Sequence, residues 1–530
     1  MTPSSPISTQ SLGRNVVRPW MVLTAVAIWL AGLAGLRPLL LPDEGRYAGV
    51  AWEMLRSGSY TVPLINGMPY FHKPPLYYWL AQVSFFIFGV NEWAARLPSL
   101  LSAWGAIAGM YAFVRRYRDA RHATWTVLIL ATLPFFYGGA QFANLDMTLA
   151  GMLTLCILAG ASTALRAENG EPYRGMSLVT ASAAALAVLA KGLVGIVLPA
   201  ATLLLWLALE RRGRGLRALL WPPALLVFAV IAVPWFWFMQ QQYPGFFHYF
   251  FVYQHFQRFA ASGFNNVQPV WFYFPVIVVL TLPWVLWGKG MLGRKFWVDA
   301  LTGDLRRLML IWICVVVVFF SIPSSKLIGY VLPVMPALAF LLAEGVTRAM
   351  GAPEGSARPR LVRITLGTAM IICGLAVIVV TFNGRHNTQY LGGAIGRELR
   401  PDDTLVTLHT YPFDLGLHAR VSKPIWVVDD WQNANIVLRD NWRKELYDAA
   451  AFEPEVGRQV LLSGAELQAR LCFAPAGSRY WIYGVPRDSQ QYAVLNGLQP
   501  RLQDGKYVVW LVQVDAAFKA RVCGETPIGG

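Results

Sequence analysis

The sequence predicts a polytopic α-helical membrane protein that carries a soluble α/β region at its C-terminal end. Three observations point there. The chain of 530 residues is 56% hydrophobic and only 14% charged, with a mean hydropathy of +0.44, whereas soluble domains lie nearer a quarter charged. Apolar runs of membrane-spanning length recur as far as residue 382. Beyond that point the pattern changes to short β-branched runs separated by Pro, Gly, Asp and Asn.

The apolar runs fall at 20–41, 97–114, 123–140, 147–165, 177–190, 193–209, 219–239, 270–288, 308–322, 327–343 and 363–382. They make roughly eleven segments by length, and with short helices hidden in the loops the expectation is about 11–13 transmembrane helices. Arg14 and Arg18 precede the first run. Its length of about 20 residues reads as an uncleaved first helix and not as a signal peptide. LYYWLAQVSFFIFGV at 76–90 is aromatic and short for a crossing, and is expected to lie at the interface.

Four basic clusters set the orientation: Arg115 to Arg121, Arg211 to Arg217, Lys289 to Arg307, and Arg348 to Arg363. With one crossing per segment all four share the side of the N-terminus, which is then cytoplasmic. The net charge of +16 is thereby a topology signal and not a nucleic-acid footprint. The same parity puts the loops around 43–75, 144–146, Lys191, 240–269 and 324–326 on the opposite face. Those loops hold the isolated carboxylates and cations.

Residues 1–382 are therefore expected to form a membrane domain whose first non-cytoplasmic loop is 42–96, and residues 383–530 an α/β domain on that same side. Strands are expected at Thr404–His409, Ile425–Val428, Arg479–Tyr483 and Tyr507–Val514, and helices at Trp442–Ala451 and Gly464–Cys472. Cys156, Cys314 and Cys373 read as small core residues. Cys472 and Cys523 can pair if their region lies outside the cytoplasm. No internal repeat is visible.

The chemistry gathers in the loops. Asp43 and Glu44 open an amphipathic stretch (Tyr47, Val50, Ala51, Met54, Leu55) that would lie on the membrane and hold the acids at fixed depth. Asp146 stands alone in QFANLDMTLAG, where an acid is costly unless it faces a wet cavity; the alternative is an N-cap for the helix that follows. Lys73 sits between His72 and two stiffening prolines. Lys191 in LAKGLVG has Gly192 and Gly195 beside it for a bend, and snorkelling is its plainer reading. Lys326 in IPSSKLIGYVLP and Arg258 in an aromatic loop complete a set of cations suited to a phosphate. His72, His248 and His255 match no metal-ligand spacing, and no glycine-rich nucleotide loop occurs.

These residues carry a resemblance. PDEGRYA (42–48), YFHKPPLYYW (70–79), NLDM (144–147), AKGLVGIVLP (190–199) and SSKLIGYVLP (324–333) resemble the GT-C glycosyltransferases that take sugars from polyprenyl-phosphate donors. Within that superfamily the chain is most similar to the bacterial lipid A 4-amino-4-deoxy-L-arabinose transferases, relatives of the protein O-mannosyltransferases. The family commonly has glutamate where His72 stands, so no acid role carries over there. The resemblance implies Asp43, Asp146 and Glu44 as the catalytic acids. It implies Lys73, Arg258, Tyr70, Lys191, Lys326, Tyr330 and His72 as substrate-binding residues, with Tyr77, Tyr78 and Phe251 along the prenyl path or anchoring the interface. The implied donor is an undecaprenyl-phosphate amino sugar and the implied acceptor lipid A, in the inner membrane of a bacterium, with no required cofactor and a monomeric chain. Two other readings stay open. One is a hexose or protein O-mannosyl-type transferase of the same superfamily. The other is a lipid-linked sugar transporter, whose charges would lie near the bilayer midplane on symmetry-related broken helices.

Overall fold

In a computed structural model the described residues are 18–257, 266–297, 303–353, 355–383 and 387–524. Apart from the end of the first, the apolar runs of the sequence lie largely on helices or on bent pairs of helices. The first nine helices are α1 (Pro19–Ala31), α2 (Asp43–Ser57), α3 (Leu76–Phe88), α4 (Glu92–Tyr117), α5 (Ala120–Thr132), α6 (Pro134–Ala140), α7 (Leu145–Glu168), α8 (Arg174–Lys191) and α9 (Val194–Leu209). Among the described residues five helices are long and apolar enough to cross a membrane, or seven when each bent pair counts as one span. The pairs are α5 with α6, bent by 67°, and Val270–Leu280 with Trp284–Leu292, bent by 120°. Pro134 and Pro283 stand at these breaks, where a missing N–H ends the helical ladder. Large apolar side chains remain exposed on the outer helices, including Ile371 and Phe382 on Arg358–Asn383. In a multi-pass membrane protein such surface meets lipid.

Two expectations about this part change. The first apolar run is helical only to Ala31, because Gly32, Gly35 and Pro38 interrupt it and Arg37 turns inward. Cys156 and Cys373 are buried as expected, but Cys314 is exposed on the outside of Gly303–Ser321. At the end that carries the basic clusters, Glu344 joins Arg306 (3.0 Å) and Arg118 (2.7 Å) across helices. Those two arginines thus do structural duty.

Between α2 and α3 the chain makes a hairpin, β1 (Leu64–Ile65) and β2 (Met68–Pro69), closed by Asn66-Gly67 with φ of 52° and 82°. Two successive left-handed residues make the turn that matches strand twist, and Asn-Gly is its preferred pair. The C-terminal region holds a six-stranded sheet: β3 (Thr404–Leu408), β4 (Trp426–Val428), β5 (Leu461–Leu462), β6 (Arg479–Gly484), β7 (Leu502–Asp504) and β8 (Tyr507–Gln513), in the order β5-β4-β3-β6-β8-β7. β3 to β6 run parallel, while β8 is antiparallel to both its neighbours. All four expected strands and both expected helices are present within a few residues; the short β5 and β7 carry too few residues to show a period.

The first loop and this sheet share one core. Ala48, Met54, Ile65, Tyr77 and Phe85 pack in the same cluster as Leu405, Val427 and Trp481. The Asn66 amide locks the two together, accepting from the Ile425 N–H (2.7 Å) and donating to the Ile425 carbonyl (2.8 Å). α2 therefore does not lie free on a membrane. Its Gly49 presses so closely on the Phe413 carbonyl that a Cβ would collide, and Gly45 packs tightly against Asp414. By contrast α3, 13 residues long, keeps Phe86 and Ile87 exposed and has the length expected of an interfacial helix.

Cys472 and Cys523 form a disulfide 51 residues apart in sequence. Closing a loop of that size stabilises by on the order of 4 kcal/mol in the chain-entropy picture. Maleimide-PEG trapping of the denatured protein should add three tags before reduction and five after, since three cysteines are free. Five tags without reductant would show the bond absent.

Candidate functional site

Three helix ends converge. α2 begins at Asp43, α7 begins one residue before Asp146, and α8 ends at Lys191. The Lys191 ammonium pairs with the Asp146 carboxylate and lies 4.6 Å from the centre of the Tyr330 ring. Asn144, not Asp146, caps α7: its side chain accepts from the Asp146 N–H at 2.9 Å. The Asp146 carboxylate is thereby left to the ion pair. Gly192, with φ 77°, stops α8 after the lysine, and Gly195 sits where a Cβ would strike the Ala187 backbone. The two glycines supply the bend that LAKGLVG suggests. Gly329 likewise gives the Asp146 carboxylate room.

Asp43 faces this pair. Its side chain is about half exposed (52%), yet the protein around it desolvates the carboxyl enough to raise its pKa. Arg46 and Lys191 act in the opposite direction, and Asp146 and Glu44 add to the rise. Arg46 donates to Asp43 at 3.4 Å and pairs with Glu445 at 3.1 Å. Glu445 also accepts from the Tyr70 hydroxyl at 3.0 Å. A line of contacts therefore runs from Asp43 through Arg46 and Glu445 to Tyr70.

Glu44 takes a different place from the one its neighbour suggests. It is fully buried. Arg96 donates to it at 2.8 and 3.1 Å, Arg37 at 3.0 Å and through a second short contact, and the backbone N–H groups of Leu40 (3.0 Å) and Ala143 (2.8 Å) complete the shell. Burial opposes its charge, but Arg96 and Arg37 outweigh it and hold the carboxyl below the usual glutamate range. A carboxylate so enclosed has no face for a substrate, and the expectation of a second reacting acid is corrected to a structural one. Through Ala143, and through Arg37 on the Gln141 carbonyl (2.6 Å), it ties the start of α2 to the start of α7.

Other expected residues divide similarly. Lys73 is half-buried in the bend after β2. His72 is buried, stacked on Tyr70 at 4.7 Å and 3.9 Å from Asp448. Tyr70 is buried with its hydroxyl on Glu445, and Tyr77 and Tyr78 are wholly buried, Tyr77 donating to the Ala95 carbonyl at 2.8 Å. These three tyrosines are core and neither line a path nor anchor an interface. Lys326 is buried with its ammonium on the carbonyls of Gln268 (3.0 Å) and Pro323, where it fastens two loops. Phe251 is half-buried among Phe236, Phe247 and Phe250, and His248 is exposed. Arg258 and the His255 side chain lie outside the described residues. Among the described residues no group of three or more His, Cys, Asp or Glu is placed to hold a metal ion.

Sequence reasoning expected the helix Trp442–Phe452, as Trp442–Ala451, but not its place beside the site. It brings Glu445 to Arg46, and Asp448 to the Tyr249 hydroxyl (3.0 Å) and to Lys444 (3.6 Å). The only signal was the charged pattern WRKELYDAA, which also suits a solvated helix.

Residues 72–238 match the family described as dolichyl-phosphate-mannose-protein mannosyltransferase. Undecaprenyl phosphate-α-4-amino-4-deoxy-L-arabinose arabinosyl transferases are similar over about two thirds of the chain. That of Shewanella sediminis is 31% identical across 66% of this chain and 63% of its own length, and that of Erwinia tasmaniensis 32% identical across 65% and 62%. The matched segment thus spans less than two thirds of these relatives. Among solved structures, the Cupriavidus metallidurans protein ArnT bound to undecaprenyl phosphate is 25% identical with a TM-score of 0.77, covering 94% of this chain and 98% of that one. The archaeal oligosaccharyltransferase AglB of Archaeoglobus fulgidus, 12% identical with a TM-score of 0.53 over 88% and 69%, shares the fold alone. The chain has the GT-C fold and is similar in sequence to the aminoarabinosyl transferases, as its motifs suggest.

The tie between the first loop and the C-terminal region is measurable. Tyr70→Phe and Glu445→Gln should couple, destabilising non-additively by about 0.5–3 kcal/mol in a double-mutant cycle on purified protein. Additive effects would mean that the two side chains do not meet.

Proposed function

We propose that this chain, similar to the aminoarabinosyl transferases, is itself a glycosyltransferase that moves 4-amino-4-deoxy-L-arabinose from undecaprenyl phosphate to a phosphate of lipid A. The reaction takes place on the periplasmic face of a bacterial inner membrane. The observation that carries this reading is the meeting of Asp43 with the Asp146–Lys191 pair at three helix ends, in a chain whose fold matches a protein that binds undecaprenyl phosphate. The disulfide supports a region outside the reducing cytoplasm.

An oxygen of the acceptor phosphate attacks the anomeric carbon, the bond from that carbon to the donor phosphate oxygen breaks, and undecaprenyl phosphate leaves. An ionised phosphate has no proton to lose, so the step needs no general base. Asp43 and Asp146 stabilise the positive charge that develops at the anomeric carbon and the ammonium of the sugar. Lys73 and Arg258 neutralise the leaving phosphate, and Lys191 can turn to it from Asp146. Glu44 positions Asp43 and does not react. No cofactor enters this scheme. Adding a cationic sugar lowers the negative charge of lipid A, which accounts for resistance to polymyxin and other cationic peptides. The mannosyltransferase match at 72–238 keeps a hexose transfer from a polyprenyl phosphate as the second reading.

The test is the mass of lipid A from a polymyxin-sensitive host that lacks its own transferase but makes the donor. Expression of this chain should add one aminopentose, and Asp43→Ala and Lys73→Ala should each lose most of that gain, at least about a hundredfold, at equal protein levels. Unchanged lipid A despite good expression would favour the hexose reading.

A further inference from the structure

At the far end of α2 from Asp43 lies a second feature that the reaction does not use. α2 runs for 15 residues, so Arg56 lies about 20 Å along the helix from Asp43. There Trp52 and Arg56, the end of α3 (Gly89, Val90) and a turn of the C-terminal region (Arg420, Ser422) surround an open cavity of about 450 Å³. It carries two guanidinium groups. Arg56 lies 5.2 Å from the Trp52 ring centre and donates to the Ser422 carbonyl, which fixes it at the rim. Its carboxylate neighbour is Glu53, 3.5 Å away and buried, whose oxygens are also used by the N–H groups of Asn66 (2.7 Å) and Gly67. Arg420 is exposed and, among the described residues, makes no ion pair. Its φ of 51° places it at the left-handed end of the short helix Leu415–Ala419, with the side chain projecting from a tight turn.

The setting identifies the occupant. The last two turns of α3 expose Val83, Phe86, Ile87 and Phe88, with Phe86 81% exposed. Apolar surface of that kind on a membrane protein faces acyl chains. The cavity with its two arginines adjoins the end of that helix, at Gly89 and Val90. A fork of guanidinium donors above lipid-facing aromatics complements a phosphate and the chains that hang from it.

We propose that this cavity binds the headgroup phosphate of an anionic phospholipid from the surrounding bilayer, with Arg420 as its principal ligand, Arg56 as the second, and the acyl chains along α3. The site braces the junction of α2, α3 and the C-terminal region from the outside.

Native mass spectrometry of the full chain, released from detergent after incubation with phosphatidylglycerol or phosphatidylethanolamine, tests it. Wild-type protein should retain at least one phosphatidylglycerol more than phosphatidylethanolamine under matched activation. Arg420→Gln should lower the occupancy of that adduct at least fivefold and Arg420→Glu should abolish it, with both variants monodisperse on gel filtration. Arg56→Gln should lower it as well. Equal retention by wild type and both Arg420 variants would overturn the proposal. So would displacement of the adduct by millimolar inorganic phosphate, or preferential retention of lipid A over phosphatidylglycerol, each of which assigns the cavity to a different ligand.

Discussion

A buried carboxylate between two arginines organises the half of this protein that carries the candidate site. Glu44 lies with no exposed surface between Arg37 and Arg96. An isolated charge there would cost several kcal/mol in lost hydration, and removing one partner of such a group strands the others. Its value lies in where its partners come from. Arg37 belongs to the turn after α1, Arg96 to the first turn of α4, and the Ala143 N–H to the approach to α7. One carboxylate thus sets three helix ends against the start of α2. Asp43, the next residue back, is held toward the Asp146–Lys191 pair as a consequence.

The C-terminal region completes that arrangement from above. Asn66 is clasped by the Ile425 backbone, and Glu445 holds Arg46, which in turn reaches Asp43. The shared hydrophobic cluster makes α2, α3 and the sheet one packed body. A change on the helix Trp442–Phe452 therefore reaches Asp43 through two side chains.

Much of this was legible in the sequence, for physical reasons. Apolar runs of spanning length must be helical in lipid, because backbone polar groups have no other partner there. The β-branched runs announced the central strands. Asp146 and Lys191 stood out because lone charges between apolar runs need a reason. What stayed hidden was the division of labour within Asp43-Glu44. Adjacent helical residues point about 100° apart, so one faces the cleft and the other the interior, and nothing local says which. The partners that decide it, Arg37 and Arg96, are separated by two helices. Glu445 lies some 400 residues downstream of Asp43 and carries no motif. Cys314 and Lys326 were misplaced for a related reason. A helix apolar on every side gives no clue to its lipid face, and the carbonyls that hold Lys326 leave no trace in sequence.

The most direct measurement is the unfolding free energy of Glu44→Gln in detergent or nanodiscs. The side chain keeps its shape and loses only its charge, so the two arginines are left facing a neutral amide. If Glu44 is the structural anchor, the variant loses on the order of 3–5 kcal/mol and unfolds at a clearly lower midpoint than Asp43→Asn, whose side chain is half open. If Glu44→Gln unfolds at the wild-type midpoint, the clamp does not hold these helix ends together and the account of the site fails with it.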